Sequence, residues 1–141
     1  MDARDDIDPL WAPRPNALPG WFHEALAVPR EEGFIDVAGT RIHYFRWGDR
    51  SHPPILMTHG FLAHARCFAF IAPFLAGDHH VIAYDLAGMG DSANRPECDA
   101  QARGAEMVWV AEALGLFDGP AKPVIIAHSF GASVGLTAMA L

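Results

Sequence analysis

The sequence contains a single lysine, Lys122, and its ten basic residues form no cluster against seventeen acidic ones, for a formal net charge of −7. Binding a phosphate backbone takes a basic stripe, so nucleic acid is excluded as the main partner. No apolar run reaches about eighteen residues, the length a bilayer-spanning helix needs. The N-terminus, Met1-Asp2-Ala3-Arg4-Asp5-Asp6-Ile7-Asp8-Pro9, lacks the basic and apolar regions of a secretory signal. There are two cysteines, Cys67 and Cys98, and their spacing is neither that of metal ligands nor that of a redox pair. A reducing, cytoplasmic compartment is therefore expected, with no membrane partner. The eight histidines (His23, His43, His52, His59, His64, His79, His80 and His128) are scattered, without a His-Glu-x-x-His pattern. Neither a metal nor another cofactor is expected.

What is present suits a globular protein of 141 residues, 51% hydrophobic and 19% charged, which is enough for one domain and too short for two. Residues 1–33 carry Pro9, Pro13, Pro15, Pro19, Gly20 and Pro29, which interrupt any long helix. They read as an N-terminal arm anchored through Trp11, Trp21, Phe22, Leu26 and Val28, with two helical turns over residues 21–27. The domain proper is expected over residues 34–141. It opens with two β-prone runs around Ala38-Gly39-Thr40, a hairpin, followed by a polar loop and a short buried strand over residues 55–58. Residues 66–76 place Phe68, Phe70, Ile71, Phe74 and Leu75 on an amphipathic helix whose regularity Pro73 limits. A strand follows over residues 81–85, introduced by His79 and His80 in a loop, and then a glycine-rich loop over residues 86–96. Met107, Val108, Ala111 and Leu114 recur at helical spacing before a stop at Gly115.

The next apolar run, Val124-Ile125-Ile126, breaks onto Ser129 between Ala127 and Gly131 and is followed by an apolar helix over residues 132–141. Small-x-Ser-x-small at a strand-to-helix turn is the pattern of a nucleophile elbow, a strained bend that pushes a serine hydroxyl out at the top of a parallel sheet. The first backbone N–H groups of the helix lack partners inside it and face any oxyanion formed at that serine. The same pattern also fits a serine buried in an ordinary turn. The element order, hairpin then strand, helix, strand, helix, strand, helix, indicates a parallel sheet with crossover helices. Right-handed crossovers bring the strand ends Thr58, Asp85 and His128 to one edge, where open α/β sheets bind ligands.

Three motifs now stand in order: His59-Gly60-Phe61, Asp85-Leu86-Ala87-Gly88-Met89-Gly90-Asp91-Ser92, and Ala127-His128-Ser129-Phe130-Gly131. Over residues 33–141 they make the chain resemble the α/β-hydrolase fold superfamily, in its serine-nucleophile branch. The resemblance implies an α/β fold that is the N-terminal part of an α/β-hydrolase sheet, a β-hairpin followed by βαβαβα with parallel strands, ending after the elbow helix. It implies Ser129 as nucleophile, with the backbone N–H groups of Phe61 and Phe130 as oxyanion donors. His59 orients the oxyanion loop, Gly60 belongs to the same motif, and Asp85 and Asp91 tie the loop bearing Gly88 and Gly90 through backbone N–H groups. His128 is expected to point away from the site as a packed core histidine. Epoxide hydrolases and haloalkane dehalogenases of this superfamily use aspartate as nucleophile, often with proline two residues after the His-Gly glycine. This chain has Ser129 and Leu62 there.

The resemblance thus implies acyl transfer to water on a small-molecule ester or related carbonyl compound, by an esterase, lipase-like enzyme, lactonase or carbon–carbon bond hydrolase. The family orders its triad serine, acid, histidine, and twelve residues follow Ser129. The chain is therefore expected to be the N-terminal part of a longer hydrolase, inactive alone, with the outer edge of the strand at residues 124–126 unpaired. The competing expectations are a non-catalytic binding module of the same fold and an inactive fragment.

Overall fold

The computed structural model describes residues 18–141. Helix α1 (Gly20–Ala27) precedes strands β1 (Glu31–Val37), β2 (Thr40–Trp47) and β3 (Pro54–Thr58). A 3₁₀ turn (Ala65–Phe68) and a short helix α2 (Ala72–Leu75) lead to β4 (His80–Tyr84), α3 (Ala100–Ala113), β5 (Val124–Ala127) and α4 (Phe130–Met139). The sheet order is β1-β2-β4-β3-β5. β1 and β2 form an antiparallel hairpin, β2 pairs antiparallel with β4, and β3 runs parallel to both β4 and β5. Among the described residues the expected architecture is found.

Local chemistry accounts for the elements. The hairpin turns through Ala38 and Gly39, both at positive φ (49° and 76°), the two-residue geometry that matches strand twist, and Asp36 Oδ1 accepts the Gly39 N–H at 3.0 Å. β1 starts at Glu31, ahead of Phe34, because the ladder extends to a Glu31–Arg46 pair. Asp99 caps α3 by accepting the Ala102 N–H at 2.8 Å. The helix ends in a Schellman pair, Leu116 N–H to Ala111 O and Gly115 N–H to Glu112 O, with Gly115 at φ 71°. The single helix expected over residues 66–76 is instead two short pieces. Pro73 lies in the first turn of α2, where its missing N–H costs nothing, so it starts a new helix and cannot continue the previous one.

Both faces of the central strands are buried, with side chains alternating between two cores. Ile55, Met57, Val81 and Ala83 pack with Phe45, Trp47, Phe68 and Ala72 under the 3₁₀ turn and α2. Leu56, Ile82 and Tyr84 pack with Met107, Val110 and Val134 under α3 and α4. The helix of the arm is α1, whose Trp21 stacks on Phe70 and Phe74 and whose Phe22 stacks on Phe70, at centroid distances of 5.3–6.4 Å. Trp11, the remaining aromatic anchor expected of the arm, lies outside the described residues.

β5 closes the order at one end of the sheet, with Val124 57% and Ile126 37% exposed while Ile125 faces α4. An apolar end strand with free N–H and C=O groups is a template for intermolecular pairing. We therefore expect concentration-dependent association of the 141-residue chain. Val124→Lys should suppress it while changing stability by about 0.5 kcal/mol or less, since the position is exposed. Light scattering across a dilution series checks this; unchanged association in the variant would place the contact elsewhere.

Candidate active site

The carboxyl ends of β3, β4 and β5 carry the three motifs. Ser129 sits between β5 and α4 at φ 51°, ψ −117°, a backbone region that a residue with a side chain occupies only at a cost of about 1–3 kcal/mol. The bend brings α4 against the end of β3 so closely that a Cβ on Gly131 would lie 2.6 Å from the carbonyl oxygens of both Thr58 and His59. Glycine is required there by contact. At Ala127, the other small position of the motif, the methyl lies 4.0 Å from where a Gly135 Cβ would be, an ordinary contact that explains why alanine serves. Gly131 and Ala132 donate their N–H groups to His128 O and Ser129 O, whereas the Phe130 N–H has no backbone partner among the described residues.

The loop after β3 abuts this bend. A Cβ on Gly60 would stand 3.5 Å from Ser129 Cβ, and the rings of Phe61 and Phe130 meet edge to face at 5.6 Å. His59 is fully buried and bridges two backbones: Nε2 accepts the Leu86 N–H at 3.1 Å and Nδ1 donates to Gly60 O at 2.7 Å. Gly60 O also accepts the Ala63 N–H at 3.2 Å, closing a turn with Leu62 at φ 55°. In a trans peptide the N–H points opposite to the C=O, so two donors gripping Gly60 O turn the Phe61 N–H outward. That N–H has no backbone partner among the described residues. Loss of hydration holds the His59 imidazole below its ordinary 6.5, partly offset by its bond to Gly60 and by the Asp85 charge. The neutral Nδ1–H tautomer is what this bonding requires.

The glycine-rich loop wraps one carboxylate. Asp85, 1% exposed, accepts the Ala65 N–H at 2.5 Å, the Asp91 N–H at 2.9 Å and a contact from His43 Nδ1 at 2.8 Å. Gly90, at φ 54°, presents its missing side chain directly to that carboxylate, so any Cβ there collides with it. Gly88, at φ 76°, donates to Ala93 O at 2.9 Å and closes the loop. Ser92 Oγ donates to Asp85 O and accepts the His43 N–H. Asp85 therefore ties the loop through backbone N–H groups as expected, and Asp91 does not. The Asp91 carboxylate points outward to within 3.9 Å of Arg66, and only its backbone joins the network.

Two further expectations change. Among the described residues His128 is exposed, not packed in the core, at the end of the outer strand β5; its Nδ1 would lie 2.9 Å from a Cβ on Gly60. His43, which the sequence left among scattered histidines, is buried between Asp85 and Glu32, whose Oε1 is 2.9 Å from Nε2. Glu32, His43 and Asp91 bring three donor atoms within 4.8 Å of one another, but Arg66 already lies 3.7 Å from Glu32 and 3.9 Å from Asp91 as their cation. Cys67 is not activated as a nucleophile, since desolvation first and the Asp85 charge second raise its thiol above the usual range. A cavity of about 480 Å³ opens at the opposite, amino edge beside Pro54 and His80, and no motif residue lines it. What the carboxyl edge offers chemically is a strained serine next to two outward or unpaired N–H groups.

Comparison with known proteins fits this geometry. A model of the alpha/beta hydrolase family matches residues 55–141. A haloalkane dehalogenase of Sphingobium indicum is 35% identical over 112 residues, covering 74% of this chain and 36% of the relative. Epoxide hydrolase A of Mycobacterium thermoresistibile superposes with a TM-score of 0.65 at 28% identity, covering 75% of this chain and 33% of that one. A bacterial membrane phospholipase A superposes with a TM-score of 0.69 at 26% identity, covering 79% and 34%. The chain thus spans about a third of the length of each of these proteins. None of the described helices is long and apolar enough to cross a membrane.

Two predictions follow from the packing and the charges. Gly131→Ala should push α4 off β3 and cost about 1–3 kcal/mol, read as a lowered denaturation midpoint in urea, because two backbone carbonyls and the methyl of the fully buried Thr58 meet the new methyl. A midpoint equal to that of the parent would contradict the close approach. The second concerns His59 and His80, both held below 6.5 chiefly by burial. Above that value each is neutral in the folded and unfolded chain, and its contribution is fully present. As the pH falls below it, only the unfolded chain takes up the proton, so stability declines until the lowered folded value is passed. The urea midpoint should therefore drop between about pH 7 and about pH 5, above the carboxylate range. His59→Gln should flatten part of that decline, and an equally steep decline in the variant would argue against a buried neutral imidazole.

Proposed function

Because the chain belongs to the alpha/beta hydrolase family, we propose that the whole protein is a serine hydrolase that transfers an acyl group to water, with an ester or related carbonyl compound as substrate. The observation that carries the reading is the backbone of Ser129, strained at φ 51° at the head of α4 with the Phe130 N–H unpaired beside it. Ser129 Oγ attacks the carbonyl carbon while its proton passes to a histidine, which by the family's chain order lies after the serine. The carbonyl oxygen becomes an oxyanion and accepts the N–H groups of Phe61 and Phe130, helped by the positive end of the α4 dipole. The leaving group departs with the proton, and water then attacks the acyl-serine to release a carboxylic acid and restore the hydroxyl.

The dehalogenase and epoxide hydrolase among the relatives are named for other reactions. A serine does not suit the displacement route. An alkyl group transferred to Ser129 would form an ether, which has no carbonyl for water to attack. An acyl-serine has one, and the likeness to a phospholipase A supports an ester substrate. Both cysteines among the described residues are free, in keeping with a reducing, cytoplasmic compartment.

A non-catalytic binding module of the same fold is the competing reading. A fluorophosphonate separates the two. The whole protein should be labelled at Ser129, and Ser129→Ala should abolish labelling, as seen by intact mass. Residues 1–141 alone should hydrolyse p-nitrophenyl acetate little faster than buffer, since an unassisted serine is a weak nucleophile. A whole protein that folds, binds a ligand and resists the probe would favour the binding module.

A further inference from the structure

Two charged residues on the buried face of α3 remain without a role. Arg103 is 8% and Glu106 1% exposed, and both address a single residue of the glycine-rich loop. Glu106 Oε1 accepts the Ala87 N–H at 3.0 Å, and Arg103 Nη1 donates to Ala87 O at 2.7 Å. Arg95 Nε, 3.0 Å from Glu106 Oε2, balances that carboxylate, while Arg103 Nε is buried with no acceptor among the described residues. Burying a guanidinium with an unsatisfied nitrogen is costly, and holding a loop against a helix does not need it. The position of Ala87 offers the reason. The preceding N–H, that of Leu86, is the one His59 Nε2 accepts, and His59 Nδ1 grips Gly60 O.

We propose that Arg103 and Glu106 are positioning residues for the oxyanion loop: together with Ser92 Oγ, which holds Asp85 O in the peptide that carries the Leu86 N–H, they fix the backbone from Leu86 to Ala87, hence the tautomer and ring plane of His59, which aims the Phe61 N–H at the reacting oxygen. The proposal rests on the serine-hydrolase reading of Ser129. A neutral imidazole carries one ring proton. While the Leu86 N–H donates to Nε2, that proton is on Nδ1, and Gly60 O is held inward. When the Leu86 N–H shifts away, the proton can move to Nε2, and Nδ1 then turns a lone pair on Gly60 O. The carbonyl rotates out, and the Phe61 N–H, fixed antiparallel to it, rotates in. Arg103 and Glu106 touch no substrate atom, yet the direction of an oxyanion donor depends on them.

The test uses the whole protein, selectively ¹⁵N-labelled at histidine, and the variants Arg103→Met, which keeps the apolar stem but removes the donor, and Arg103→Lys, which restores a donor of shorter reach. Thermal melts establish that each variant folds. In Arg103→Met the rate of fluorophosphonate labelling at Ser129 should fall about tenfold to a hundredfold, short of the roughly hundredfold to thousandfold loss on removing an oxyanion donor outright. For ester hydrolysis kcat should fall with KM little changed, the His59 nitrogen shifts should move from the Nδ1–H pattern to a mixture, and Arg103→Lys should recover part of each change. A folded Arg103→Met protein with parental labelling and a pure Nδ1–H pattern would overturn the inference while leaving Ser129 as nucleophile. Should Arg103→Met not fold, Arg103→Gln takes its place with the same two outcomes. A parent protein that the probe does not label at Ser129 overturns the serine reading itself, and with it the inference.

Discussion

A single buried carboxylate organises the carboxyl edge of this sheet. Asp85 lies at the end of β4 with almost no exposure, and an ionised carboxylate taken out of water costs several kcal/mol unless its lone pairs are filled. Three segments supply the filling: the backbone of the 3₁₀ turn through Ala65, the glycine-rich loop through Asp91, and β2 through His43. Each segment is short and none has a core of its own. Gly90 must lack a side chain because that space belongs to the carboxylate, and Ser92 clasps the Asp85 peptide from the other side. Any other conformation of the loop would take the Asp91 N–H away from that carboxylate.

From this anchor the order passes to the serine by contact. Leu86, the next residue, holds His59; His59 holds Gly60; and Gly60 lies against the bend, where an added methyl group would meet the His128 ring at 2.9 Å and Ser129 Cβ at 3.5 Å. On the far side Gly131 lets α4 rest on the carbonyls of Thr58 and His59. The strained torsion of Ser129 persists because its neighbours on both sides are fixed. Relaxing it would move either a helix packed on α3 through Gly104 or a strand paired on β3. Strain at one residue is thus balanced by packing at several, as the steric cost of such backbone requires.

What the sequence made legible follows the same division. Runs of β-branched and apolar residues marked β3, β4 and β5, and a positive-φ turn at Ala38-Gly39 marked the hairpin, because local chemistry decides those features. The elbow was legible because close approach leaves a trace, the small residues at positions 127 and 131. Residues whose role depends on which elements become neighbours left none. His43 lies on β2 where that strand pairs with β4, and among the described residues His128 is exposed beside the outer strand β5. Arg103 and Glu106, three apart on a helix, look like an ordinary solvated pair until Ala87 is seen between them. The helix expected at residues 66–76 divided for a local reason that Pro73 already carried, yet only tertiary packing decided on which side of the proline the chain would start again.

Leu62 bears on which chemistry the site runs. Relatives with an aspartate nucleophile often carry proline at this place, and proline holds φ near −65°. Leu62 stands at φ 55°, so a proline could not be substituted without rebuilding the turn that Ala63 closes on Gly60 O. Holding a leucine in that region costs about 1–2 kcal/mol, and its side chain, 79% exposed, recovers little of this by burial. The compensation lies in the peptide before it. A positive φ at the third position of the turn completes the bond from Ala63 to Gly60 O, which adds a second grip on the carbonyl that His59 already holds. On the proposed serine-hydrolase reading, the departure from proline at 62 and the serine at 129 act on one peptide: the second would need an N–H aimed at an oxyanion, and the first would help to keep it aimed.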